Sequence, residues 1–169
     1  MNILFHTATA IGIAVVLTDT QRLTSAKTCK PVLATGVAAF GIGIISHGVI
    51  DYIPHCYPIM SELDVVFGFL IMSALTYMVN RRYRLIVGLA FLGAVTPDVV
   101  DLGPTILNQV LGLNLPVLGK IFPWHLPEYS GSIYTGNCAV STWNHLLLLV
   151  TILAICCFRR SSLKEMLKK

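Results

Sequence analysis

The chain has 169 residues, a formal net charge of +4 and 12% charged residues, against roughly 25% in soluble domains. Its mean hydropathy is +0.75. That length suits a single domain, 1–169, and the composition argues against an ordinary soluble enzyme and for an all-α, polytopic membrane bundle. The positive charge is no nucleic-acid signal, because the basic residues flank apolar runs, so no nucleic-acid partner is expected.

Five apolar runs predict about five membrane spans, near 3–17, 32–50, 62–79, 85–100 and 141–158. The first is short for a span of about 20 residues. It reads as a retained helix rather than a signal peptide, since no Lys or Arg precedes it. A polar connector, 18–31, carries Arg22, Lys27 and Lys30. In the second run Gly36, Gly41 and Gly43 would let a neighbouring helix approach closely. A short loop with two prolines follows, and Asp64 sits one turn inside the third run. A basic turn holds Arg81, Arg82 and Arg84 before the fourth run, which ends in Thr96-Pro97-Asp98-Val99-Val100-Asp101. Residues 102–140 form a long mixed segment, in which 104–111 reads as a short surface helix. A loop of that length is unusual unless functional. The fifth run starts near Asn144-His145, and a basic tail closes the chain.

The stretch that organises these elements is Ser46-His47-Gly48-Val49-Ile50-Asp51-Tyr52-Ile53-Pro54-His55. On a helix, His47 and Asp51 share one face, one turn apart. Pro54 disfavours helix at Ile53, so His55 falls just past the helix end, where the bend can return its imidazole toward the same point. Imidazole and carboxylate together suit a zinc-class ion. The five cysteines form no C-x-x-C pair, which argues against a thiolate zinc site.

The positive-inside rule puts the 18–31 connector, the 80–84 turn and the tail in the cytoplasm, with the N-terminus outside. Only Lys120 of the twelve Lys and Arg residues is then left outside. The other polar groups fall the opposite way. His6, His47, His55, His125 and His145, which are all the histidines, are expected at the outer face. So are Asp51, Glu62, Asp64, Asp98, Asp101 and Glu128, six of the eight carboxylates. Ionisable groups in spans cost roughly 2.5–3.5 kcal/mol on insertion scales and usually line a site. Each residue alone reads as an interfacial polar cap; all of them together do not. Cys56 and Cys138 also fall outside, where a disulfide is allowed, and they either pair or remain apart. Trp124, Tyr129, Tyr134 and Trp143 suit an interfacial aromatic belt.

These motifs resemble those of small bacterial integral-membrane proteins described as metal-dependent hydrolases, which are related to the zinc-dependent phospholipase C family. The matching pieces are Phe5-His6-Thr7, the 46–55 stretch, Asp64, Gly93-Ala94-Val95-Thr96-Pro97-Asp98 and Trp124-His125. The resemblance implies metal ligation by His6, His47, Asp51, His55, Asp98 and His125, and residence in the bacterial cytoplasmic (inner) membrane. His145 joins this set as a further candidate ligand.

One or two zinc-type ions are expected, with Asp51 or Asp98 bridging if there are two. Asp64 and Asp101 are the catalytic candidates, each either orienting a ligating imidazole or serving as general base. The expected activity is hydrolysis of a phosphoester, with the bilayer as partner and a phospholipid or lipid-linked phosphoester as candidate substrate. The alternatives are a metal transporter and a non-catalytic structural or regulatory metal-binding membrane protein. A transporter would place carboxylates mid-span, whereas here they lie at span ends.

Overall fold

A computed structural model describes residues 1–25, 28–134 and 136–168; Lys27 and Lys169, two of the basic residues assigned to the cytoplasm, lie outside the described residues. The five apolar runs appear as α1 (Ile3–Leu17), α3 (Lys30–Tyr52), α4 (Ser61–Met78), α5 (Arg84–Asp101) and α7 (Ala139–Phe158). Three shorter helices join them: α2 (Thr20–Ser25), α6 (Gly103–Leu111) and α8 (Arg160–Leu167). Among the described residues there is no strand, only an isolated bridge between His55 and Ser132. By length and composition α3, α4 and α7 can each cross a membrane. The α5–α6 pair, bent by 66°, adds a fourth if counted as one span, and α1 is a shorter apolar helix.

Local chemistry explains the boundaries. Pro31 sits in the first turn of α3, where its missing N–H costs nothing. Pro54 ends the same helix, with Ile53 in an extended conformation. Gly112, at φ 63°, supplies the left-handed cap of α6. The 18–31 connector contains a helix that composition did not predict. The Asp19 carboxylate accepts the Arg22 N–H at 3.0 Å, and Leu23 buries itself against the core.

The bundle is organised by α3 against α5, with α1 packed against α3, α4, α5 and α7. A Cβ on Gly93 would lie 2.2 Å from the Phe40 carbonyl oxygen. One on Gly43 would lie 2.8 Å from the Ala94 nitrogen. The two backbones therefore touch, as small residues allow in membrane helices. Gly41, expected to serve the same purpose, faces open space. A Cβ on Gly36 would lie 2.8 Å from the Leu89 side chain, with the nearest backbone atom, the Leu85 carbonyl oxygen, at 3.7 Å.

The basic segments are joined to one another at one end. The Asn80 N–H donates to the Met166 carbonyl at 2.7 Å. Arg82 Nη1 donates to the Thr24 carbonyl at 3.2 Å, and Arg159 Nη2 to that of Thr18 at 3.2 Å. Elsewhere large apolar side chains are exposed; along α7 only Ser141 and His145 are buried. Such an apolar exterior suits hydrocarbon rather than water.

If the α3–α5 contact sets the fold, Gly93→Ala costs about 1–3 kcal/mol from overpacking. Gly41→Ala is neutral. Thermal unfolding of the detergent-solubilised protein, comparing both variants with the parent chain, checks this.

Candidate metal centre

Gly43 lies one turn before His47 and two before Asp51, so the α3 face that touches α5 continues into the imidazole and the carboxylate. On α5, Ala94 lies one turn before Asp98. The α3–α5 crossing thus brings His47, Asp51 and Asp98 together at one end of the bundle. His125 arrives from the long loop, in a 3-10 turn, Pro123–His125. The ligand atoms of His47, Asp51, Asp98 and His125 all lie within 4.8 Å of one another.

The separations are those of a small coordination shell. His47 Nε2 is 3.2 Å from Asp51 Oδ2, 3.5 Å from Asp98 Oδ1 and 3.3 Å from His125 Nε2. His125 Nε2 is 3.6 Å from Asp51 Oδ2 and 3.2 Å from Asp98 Oδ1. A tetrahedral ion with bonds of about 2.0–2.1 Å has ligand–ligand edges of about 3.3–3.4 Å.

The tautomers point the same way. His47 Nδ1 lies 2.6 Å from the Ala94 carbonyl oxygen, which only an N–H can donate to. His125 Nδ1 lies 2.8 Å from Asp101 Oδ2. In the neutral form, which a metal ion requires, each ring therefore turns a bare Nε2 lone pair toward two carboxylates. Four acceptors converge with no donor between them, and only a cation, proton or metal, satisfies that arrangement. The His125 imidazole records the same field: burial lowers its pKa, but hydrogen bonds with Asp51, Asp98 and Asp101 overcome this and raise it to about 10.

His6 stands beside this set, at the other oxygen of Asp51. Its ring stacks on His47 at 3.9 Å, and its Nε2 is 3.1 Å from Asp51 Oδ1. It is fully buried, and neither ring nitrogen makes a hydrogen bond. The backbone nitrogen of Met1 also lies against Asp51 Oδ1. Asp51 thus faces His47 and His125 with one oxygen and His6 with the other.

Asp101 organises the loop. It accepts from the Ile121 N–H at 2.9 Å, the Phe122 N–H at 3.0 Å and the His125 ring. The loop is held further by Trp124, whose ring packs on Gly48, and by Lys120 Nζ, which donates to the His125 carbonyl.

Three expected site residues stay outside the four-residue cluster, although Asp64 lines the cavity beside it. His55 follows α3 as expected, but its ring does not return to the cluster. Its Nδ1 donates to the Ile53 carbonyl at 2.8 Å, and its Nε2 faces the Tyr57 and Ser132 hydroxyls at 3.1 and 3.2 Å. Burial pushes its pKa down to about 4, so this ring is neutral. The cause is a backbone clasp: His55 N–H donates to the Gly131 carbonyl, and Ile133 N–H to that of His55, each at 2.8 Å. His145 stacks on Phe5 at 4.0 Å, apart from the cluster. Asp64, a catalytic candidate in the sequence, accepts the Ile3 and Leu4 N–H groups at 2.5 and 3.1 Å. It satisfies the start of α1, which leaves it poorly placed to act as a base. Glu62 and Glu128 also stay outside the four-residue set.

Cys56 and Cys138 form a disulfide, with Cα atoms 5.9 Å apart, tying the loop after α3 to the start of α7. The Ala94 carbonyl that sets the His47 tautomer was invisible in the sequence, since a backbone acceptor carries no residue signal.

No protein-family model matches the chain, and neither a curated protein nor a solved structure matches it.

His47→Ala and Asp51→Ala should each abolish metal binding, and Asp101→Asn should weaken it about 10–100-fold by releasing His125. His55→Ala and His145→Ala should retain full metal content. Elemental analysis of purified variants after dialysis against a weak chelator reads all five.

Proposed function

We propose that the protein is a membrane-embedded, metal-dependent phosphoester hydrolase whose centre lies at the outer face of a bacterial cytoplasmic membrane. The observation that carries this reading is the convergence of four cation-seeking acceptors beside a cavity of about 470 Å³ that reaches Asp51, Asp98 and His125. A purely structural ion is closed off by its ligands, whereas a catalytic one needs an open approach. The cavity favours hydrolysis over the structural or regulatory alternative, and the position of the carboxylates at helix ends speaks against transport.

The donor set, two imidazoles and two carboxylates, suits zinc, with His6 at hand for a second ion across Asp51. Such an ion supplies a Lewis acid for a phosphoryl oxygen and a water acidic enough to attack near neutral pH. The protein's own part is positional. His47 is held by Ala94 and His125 by Asp101, so their Nε2 atoms stay aimed without reorganisation. A mouth among Tyr57, Ser132 and Tyr134 offers hydroxyls to a polar headgroup. This reading follows the resemblance to the zinc-dependent phospholipase C relatives and takes a lipid-linked phosphoester as substrate.

The reading takes five spans, with α1 crossing as the first, the N-terminus outside and the C-terminus in the cytoplasm. The joined basic segments support that orientation. So does the disulfide at the opposite end, since such bonds persist in oxidising compartments.

Two measurements test the proposal. Reporters fused after Arg82 and at the C-terminus should read cytoplasm, and one inserted within 112–120 should read outside; cytoplasmic signal from that loop reverses the orientation. The metal-loaded protein should hydrolyse at least one member of a phosphodiester and phospholipid panel. Asp98→Asn should lower that rate by orders of magnitude. A metal-replete protein inert to the whole panel would return the centre to a structural role.

A further inference from the structure

The cavity beside the metal centre does not end at its polar residues. Its far wall is Val65 and Phe69 of α4 with Val99 of α5 and Ile106 of α6. Phe69 also lines a second cavity, of about 410 Å³, which continues down the same α4–α5 seam past Ser73, Phe91 and Leu92 to Arg84. The two cavities follow one strip of each helix, with residues recurring every three or four positions.

The seam is open for identifiable reasons. Near the metal end α4 leans on α1, where a Cβ on Gly68 would lie 2.4 Å from the Ile3 side chain. Further along, small residues face each other: a Cβ on Gly88 would meet only the Thr76 side chain, at 3.8 Å. The lower end is shut. Arg84 donates to the Tyr77 and Val79 carbonyls at 2.6 and 3.1 Å and lies over the Tyr77 ring at 5.0 Å.

From Arg84 to Asp98 the helix rises about 21 Å at 1.5 Å per residue, against a hydrocarbon core of about 30 Å. The seam therefore has a cation-seeking polar head end, an apolar length at bilayer depth and a closed foot. Its lower part sets Ser73, Thr76, Tyr77 and Arg84 among mainly apolar surface, and only beside the metal centre does the lining gain carboxylates and Lys120. That gradient is complementary to one class of molecule, an amphiphile with a single long apolar chain in the groove and an anionic, metal-binding head.

We propose that the α4–α5 seam is a chain-binding groove, entered sideways from the bilayer, that holds a long apolar chain of a membrane lipid while its phosphate-bearing head lies at the metal centre. This rests on the phosphoester reading of that centre and adds to it a substrate-binding site and a route of entry. Chain length is then read by the distance from the centre to Arg84, and the lipid need not leave the membrane to be recognised.

The test uses the full chain, zinc-loaded, in lipid nanodiscs containing phosphatidic acid with a photoreactive group near one chain end. Crosslinks mapped by mass spectrometry should concentrate on the lower strip around Thr76, Gly88 and Leu92, and excess unlabelled phosphatidic acid should compete them away. Ser73→Trp and Gly88→Leu, which fill the seam from opposite helices, should each lower crosslinking there about tenfold. Labelling of the lipid-facing side of α7 should stay constant, and metal content shows that each variant is folded. Equal, non-competable labelling of α7 and the seam would mean annular lipid only and overturn the groove. So would undiminished seam labelling in a metal-replete Ser73→Trp protein. If a variant loses its metal, the wild-type map decides alone. Seam labelling without turnover of any phosphoester would remove the hydrolase reading and leave the groove standing; turnover without seam labelling would do the reverse.

Discussion

The structure depends on one close approach, the backbone contact of α3 with α5 at Gly43 and Gly93. Lipid provides little hydrophobic drive between helices, so association relies on packing and on polar contacts, and small residues permit the closest packing. Here the contact also assembles the His/Asp cluster. It aligns His47 over the Ala94 carbonyl and brings Asp51 and Asp98 to the same depth. A helix separation larger by the width of one methyl group would move the His47 ring off its carbonyl and widen the acceptor set.

That acceptor set carries an electrostatic demand. Carboxylates facing the lone pairs of imidazoles, with His6 Nε2 3.1 Å from Asp51 Oδ1 alongside, are costly unless a cation joins them. The acidic residues divide the work. Asp51 and Asp98 face the centre. Asp101 and Asp64 face backbone N–H groups, the one folding the 121–125 turn onto the centre, the other starting α1 so that His6 enters beside it. Two carboxylates thus set the site's charge and two set its shape, near one end of the bundle, with Asp98 half-buried and the other three buried.

The same end is fastened by a covalent bond as well as by hydrogen bonds. The disulfide, the clasp between residues 53–55 and 131–133, and the Asn144 amide on the Pro54 carbonyl at 2.7 Å tie the loops to the helices. A Cβ on Gly131 would lie 2.3 Å from the Ile53 carbonyl oxygen, so the clasp itself requires glycine. Rigid loops suit a centre whose fourth ligand, His125, belongs to no long helix. The α4–α5 seam with its two cavities lies beside this fastened region.

The sequence by itself determined the helical, membrane-suited character, the five apolar runs and the separation of basic from His/Asp segments. These follow from composition and from one-dimensional periodicity, which local hydrogen bonding and hydrocarbon solvent translate directly into helices. It also singled out His47 with Asp51, because helical spacing alone puts them on one face, and it offered Asp101 as a residue that could orient an imidazole. Only the tertiary structure decided which other polar residues reach that face. His55 was expected to bend back, yet the pairing of its own backbone with 131–133 holds it against Tyr57 and Ser132. His145 lies one helix face away, on Phe5, and Asp64 is consumed by the start of α1. Each outcome turns on a partner more than fifty residues distant in the chain, and no local pattern encodes such a partner. The resemblance offered both His125 and His55 as ligands, and residues 102–140, which lack regular periodicity through most of their length, could not choose between them; that depended on a loop closing across the α3–α5 crossing.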